Sequence, residues 1–117
     1  MNDCVFCKII KGEIPSEKLY EDDLMVVIKD ICPKAEKHYL AIPKKHFKLL
    51  SEMTAQDAVD LGNCMKKAGE LAETLGLQNG FRLIINQGED ADQTVFHLHM
   101  HLLGGQKLQE TDYKNKD

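Results

Sequence analysis

The sequence predicts an α+β fold: an antiparallel sheet of about five strands, one long helix and a short N-terminal helix. Three observations point there. Short apolar runs follow one another with brief connections, as strands paired antiparallel require. Residues 54–75 carry apolar side chains at helical spacing. The chain has 117 residues, which suits one domain over 1–117, with 106–117 as a loose tail.

The elements follow in order. Asp3 is placed to cap a short helix through Val5, Phe6, Ile9 and Ile10, whose apolar side chains share a face and which stops near Gly12. Lys18–Glu21 reads as a short strand, and Leu24–Lys29 as a buried one, being nearly all apolar. Asp30 ends that run and Pro33 enforces a turn. His38–Ile42 is the next strand, closed by Pro43, and Lys44–Ser51 is a connector with a short helical turn. Thr54 and Asp57 form a capping box for a helix to about Leu75. Its stripe is Ala58, Leu61, Cys64/Met65, Ala68, Leu71/Ala72 and Leu75, and Gly76 suits a left-handed C-cap. Asn79-Gly80 is a turn, Phe81–Asn86 a strand and Gln87–Gln93 a polar loop. Thr94–Leu103 is the last strand, ended by Gly104-Gly105.

Composition narrows the function. Apolar residues make up 43% and aromatics 6%, without tryptophan, so the core is aliphatic. A formal charge of −4, without a basic tract, argues against extended nucleic-acid binding. No apolar run approaches the length of a membrane span, and Met1–Cys7 lacks the regions of a secretory leader. The expectation is a cytoplasmic protein with reduced thiols, in which four cysteines do not form a disulfide framework.

The most informative stretch is His97-Leu98-His99-Met100-His101-Leu102-Leu103. In a strand, alternate side chains share a face, so three imidazoles line up roughly 6.5–7 Å apart while Leu98, Met100 and Leu102 enter a core. Stability alone does not explain three adjacent imidazoles, which repel if charged and gain little if neutral. Metal ligation and nucleophilic or acid–base work near neutral pH both remain. His38, the fifth histidine, reads as structural. Cys4-Val5-Phe6-Cys7 brings two sulfurs together on a short helix, which is half a tetrahedral metal site, a redox pair or simply two buried thiols.

His-φ-His-φ-His-φ-φ resembles the signature of the histidine triad family. The resemblance extends over 4–15 (Cys-Val-Phe-Cys-Lys-Ile-Ile-Lys-Gly-Glu-Ile-Pro), Tyr20-Glu-Asp-Asp, Ile42-Pro-Lys-Lys-His, Asn86-Gln-Gly and Gln93-Thr-Val-Phe-His. Gly104-Gly105 looks like the branch of histidine triad nucleotide-binding proteins that act as nucleoside phosphoramidases; the dinucleoside polyphosphate branch typically has Pro-Arg near that point. The resemblance implies a nucleotide hydrolase or transferase working through a nucleotidyl-histidine intermediate, hydrolysing purine nucleoside 5′-phosphoramidates, with a nucleotide-binding regulatory module of little turnover or a dinucleoside polyphosphate hydrolase as the other readings.

By the same resemblance, His99 is the nucleophile, His101 and Thr94 assist at the phosphate, and Asp30 grips the ribose hydroxyls. Asn86 and Gln93 lie toward the phosphate. Many bacterial-type relatives with the cysteine pair bind zinc, and their ligands match Cys4, Cys7, His46 and His97. A homodimer through the long helix and an edge strand is implied too. Three departures stand out: Lys29 where relatives carry an apolar or His residue beside the base, Asp92 where they usually have Gly, and a tail without the tryptophan of some relatives.

Overall fold

The computed structural model describes residues 4–110. Its elements are α1 (Val5–Ile10), β1 (Tyr20–Glu21), β2 (Met25–Lys29), β3 (Lys37–Pro43), α2 (Ala55–Leu71), β4 (Phe81–Ile84) and β5 (Met100–Gly104), with single 3₁₀ turns at Leu50–Glu52 and Glu89–Ala91. The five strands form one antiparallel sheet in the order β1-β2-β3-β5-β4. The expected α+β architecture is the one found. Residues 111–117, most of the expected tail, lie outside the described residues.

The sheet has two covered faces, and the strand parity decides which residue goes where. Met25, Val27, Tyr39, Ala41, Leu98, Met100 and Leu102 pack with Leu61, Cys64, Ala68 and Ala72 of α2. Val26, Ile28, Leu40 and Ile42 pack on the other face with Phe6 and Ile9 of α1. Being covered on both sides is why β2 reads as a continuous apolar run. His99 and His101 alternate with the core residues of the α2 side, so they emerge on the α1 side.

The capping box is present: Thr54 Oγ1 accepts from the Asp57 N–H at 3.1 Å, and Asp57 Oδ2 accepts from the Thr54 N–H at 3.0 Å. Such a cap contributes about 1 kcal/mol. The regular helix ends at Leu71, short of the expected Leu75, yet the chain continues into a Schellman closure. The Leu77 N–H reaches the Ala72 carbonyl at 2.8 Å and Gly76 sits at φ +79°, where a side chain would be strained. Ala58 and Met65, expected on the buried stripe, are exposed. Gly104 is required by contact: a Cβ there would lie 2.7 Å from Leu77 and 3.0 Å from the Gly80 carbonyl.

β2 and β3 fall within one residue of expectation at each end, while other boundaries differ more. The cap of α1 is Cys4, whose sulfur accepts from the Cys7 N–H at 3.4 Å; Asp3, expected there, lies outside the described residues. β1 is Tyr20–Glu21 rather than Lys18–Glu21. β4 stops at Ile84, not Asn86, because its neighbour β5 supplies partners only from His101 onward. The largest difference is β5, which begins at Met100 rather than Thr94. Continuing its register with β3 would set Leu98 opposite Pro43, which has no N–H to give. The Pro43 carbonyl is taken by the His97 ring at 2.7 Å, and the Leu98 N–H turns to the Phe47 carbonyl at 2.7 Å. His97 therefore lies in a bend and His99 just before the strand, so that of the three histidines only His101 is in β5.

Candidate active site and metal centre

The bend sends His97 and His99 to different tasks. His97 is fully buried and faces Cys4, Cys7 and His46. Its Nε2 lies against a carbonyl, which only accepts, so Nε2 carries the proton and Nδ1 keeps a lone pair. Nδ1 is 3.3 Å from Cys4 Sγ, 3.5 Å from Cys7 Sγ and 3.2 Å from His46 Nδ1, and Cys7 Sγ is 3.3 Å from His46 Nδ1. Tetrahedral coordination with metal–nitrogen bonds of about 2.0 Å and metal–sulfur bonds of about 2.3 Å places such atoms roughly 3.3–3.6 Å apart. The four donor atoms lie within 4.8 Å of one another, and burial lowers His97 to about 4, so the ring is neutral. The donor set, with the Pro43 carbonyl fixing the His97 ring, fits a bound metal ion.

Phe6 stands between this cluster and the second site. Its ring meets His97 edge-on at 5.9 Å and His99 at 4.9 Å. Beyond it, His99 and His101 open onto a cleft of about 900 Å³. His99 Nδ1 donates to the His97 carbonyl at 2.7 Å, which leaves Nε2 unprotonated. Burial also holds the His99 pKa below its ordinary value, although the same carbonyl bond works in the opposite direction. The result is a neutral imidazole with a fixed tautomer and an available lone pair. The ring of His101 is 5.0 Å from that of His99, closer than an ideal strand spacing, and burial lowers its pKa to about 4.

The remaining residues assort unevenly. Asp30, Asn86, Asp92 and Thr94 line the cleft with the two histidines. Gln93 does not; it is buried, its Oε1 accepting from the Gly88 N–H at 2.8 Å and its amide donating to the Lys48 and Val95 carbonyls. It braces the loop that carries Thr94. Lys29 is exposed at the end of β2 and outside the lining, whereas Lys34 and Cys32, from the turn after Asp30, are within it. His38 also lines the cleft and lies beside Asp30 and His101. Its strand parity alone could not reveal this, because it depends on the pairing of His38 with Leu103 across β3 and β5. A second concavity of about 700 Å³, near Gly80 and Gly105, is lined by no histidine, cysteine or acidic residue.

Comparison with known proteins bears on what this arrangement is. The family model described as "Scavenger mRNA decapping enzyme C-term binding" matches residues 3–116. An uncharacterized HIT-like protein of Synechocystis is 50% identical over 103 residues, 88% of this chain and 90% of that one. The chain belongs to the histidine triad (HIT) family. Protein HitA of Neisseria gonorrhoeae is 46% identical, with 89% of this chain and 97% of HitA covered. A HIT family hydrolase from Clostridium thermocellum superposes with a TM-score of 0.87 at 49% identity, over 93% of this chain and 96% of that structure. Histidine triad membership accounts for the fold and for the general expectation of a hydrolase-like protein. Among the described residues, no helix of this HIT protein is long and apolar enough to cross a membrane.

Asp92 stands where the resemblance leads one to expect glycine. It has φ +60° and ψ +42°, a left-handed conformation that favours glycine, and its residue lines the cleft. Asp92→Gly is expected to leave thermal stability within about 1 kcal/mol, since relief of the left-handed backbone offsets glycine's larger unfolded-state entropy. Removing the carboxylate should lower KM for an anionic substrate by about two- to fivefold. Steady-state kinetics at two salt concentrations check this: the gain should shrink at high salt, and an unchanged KM would exclude an electrostatic role for Asp92.

Proposed function

We propose that this HIT protein hydrolyses purine nucleoside 5′-phosphoramidates to the nucleoside monophosphate and an amine, through a nucleotidyl intermediate on His99. The observation that carries the reading is the His99 Nδ1–H bond to the His97 carbonyl, which reserves Nε2 for attack. In the first step the Nε2 lone pair forms a bond to phosphorus while the P–N bond to the amine breaks; the amine leaves with a proton drawn from solvent, which the attacking water gives back in the second step. In the second, water forms a P–O bond and the His99–phosphorus bond breaks, returning neutral His99 and the monophosphate.

The lining residues support assigned tasks. Asp30 accepts the ribose hydroxyls, while His101 and Asn86 donate to the phosphoryl oxygens as charge builds there. Thr94 supplies a hydroxyl near the leaving group, with a stiffer χ1 than serine. Gln93 acts on the phosphate side by holding its loop rather than by reaching into the cleft. We read the metal at Cys4, Cys7, His46 and His97 as structural zinc, which ties α1 to the bend before β5. We also read the functional unit as a cytoplasmic homodimer that covers the outer strand β4 and a face of α2; light scattering that finds a monomer at micromolar concentration would remove this part.

The reading is tested with a fluorogenic adenosine phosphoramidate and, in parallel, a dinucleoside polyphosphate. Faster turnover of the phosphoramidate is expected, with guanosine and adenosine compounds preferred over pyrimidine ones. Preference for the polyphosphate would move the protein to the other branch. The carboxylate of Asp92 in the cleft favours a second reading, a nucleotide-binding module with little turnover. Nucleotide binding without hydrolysis of either substrate would select it.

A further inference from the structure

We propose that His38 is a positioning residue that sets the tautomer of His101, so that His101 presents an Nε2–H donor to the cleft. The Lys34 N–H points at His38 Nδ1 at 3.0 Å. An amide N–H only donates, so Nδ1 keeps its lone pair and the proton of neutral His38 sits on Nε2. That nitrogen is 2.9 Å from His101 Nδ1 and 3.3 Å from Asp30 Oδ2. The shorter and better-formed bond goes to His101. His101 Nδ1 is then the acceptor, and its own proton is carried by Nε2.

Burial lowers the pKa of His38 and takes His101 to about 4, so neither is protonated near neutral pH. Asp30, His38 and His101 also bring three donor atoms within 4.8 Å, the spacing of a metal group. The Lys34 amide argues against that use. A metal on His38 Nε2 needs a lone pair there and a proton on Nδ1, where the Lys34 N–H already points. His97 has the same tautomer but turns the other nitrogen to its cluster: a carbonyl holds its Nε2 proton and leaves the Nδ1 lone pair toward the cysteines. Two imidazoles of one protein are thus set to the same Nε2–H tautomer, one by an amide that donates to Nδ1 and the other by a carbonyl that accepts from Nε2.

The consequence rests on the proposed function, because a phosphoryl group in the cleft is what needs the donor. In the other tautomer His101 would offer a lone pair to a phosphoryl oxygen, which repels it. His38 touches neither the substrate nor His99 in this scheme; it acts through His101.

The test is ¹⁵N-labelled, metal-replete protein without nucleotide, with ring tautomers read from long-range ¹H–¹⁵N correlation near neutral pH. His101 should carry its proton on Nε2 in the native protein. In His38→Phe it should shift toward the Nδ1–H form or a mixture, and kcat for the phosphoramidate should fall about 10- to 100-fold with KM little changed. In His38→Gln, whose amide can donate to the same nitrogen, the Nε2–H form and most of kcat should return. A native His101 protonated on Nδ1 overturns the proposal even if neither variant folds, as does an unchanged tautomer in His38→Phe. If the tautomers follow the expected pattern and no phosphoramidate is cleaved, His38 keeps this role and the proposed function fails instead.

Discussion

Replacing His99 by alanine is expected to lower kcat for a nucleoside phosphoramidate by roughly 10⁴-fold or more, with nucleotide affinity retained. The size follows from what is removed. Among the described residues, no other side chain in the cleft combines a neutral imidazole with an Nε2 lone pair reserved by an Nδ1–H bond to a carbonyl; the His101 ring is tied through Nδ1 to His38. Without the nucleophile, water must attack phosphorus in one step, losing both the covalent route and the fixed geometry. Binding survives because Asp30, Asn86, Thr94 and His101 remain in the lining. The ring also packs edge-on against Phe6 at 4.9 Å, so the alanine variant should lose about 2–3 kcal/mol of stability. His99→Asn controls for that loss, since its amide still donates to the His97 carbonyl while offering no nucleophile. Kinetics, calorimetric nucleotide binding and intact-protein mass spectrometry check the set. A mass increase of one nucleotidyl group should appear in quenched native protein and in neither variant. Retention of more than about a tenth of the activity in both variants would rule out His99 as the nucleophile.

Much of this arrangement is legible in the residues themselves. Thr54 and Asp57 announce the helix start through chemistry local to four residues, and Gly76 marks its closure in the same way. Leu98, Met100 and Leu102 fall on the core side as their alternation demands. What escapes the sequence depends on partners far along the chain. The late start of β5 follows from Pro43 lying opposite Leu98, a juxtaposition set by sheet register. The tautomer of His99 follows from the carbonyl of His97, which is local, but only the bend makes that carbonyl reachable. His38 looks structural because nothing near it in sequence names His101 as its partner. Gln93 looks like a phosphate ligand by resemblance, yet its hydrogen-bonding groups are engaged by Gly88, Lys48 and Val95.

Breaking the proposed zinc site at Cys4, Cys7, His46 and His97 is expected to destabilise the protein by roughly 3 kcal/mol, lowering the unfolding temperature by roughly 10–15 °C. The loss is smaller than for a zinc finger, because the sheet carries a core on each face that does not include the four ligands' metal-facing atoms. It is still large, because Cys4 and Cys7 lie at the start of α1 and His97 in the bend, segments far apart in sequence that the ion would join. Cys7→Ser is the variant of choice: it keeps the size and polarity of the position but removes a soft ligand. Elemental analysis should find about one zinc per native chain and little in Cys7→Ser, and the melting temperature of the native protein should fall to that of the variant on chelation. Catalysis should suffer as well. Phe6 lies between Cys4 and Cys7 on the same helix and abuts the ring of His99, so loosening α1 removes the wall that keeps that imidazole buried and neutral. A modest loss of kcat, about tenfold, should therefore accompany metal loss while nucleotide affinity holds. Native protein that contains no zinc with all four ligands intact, or a Cys7→Ser melting temperature equal to the native one, would show that the four side chains are held together by packing alone.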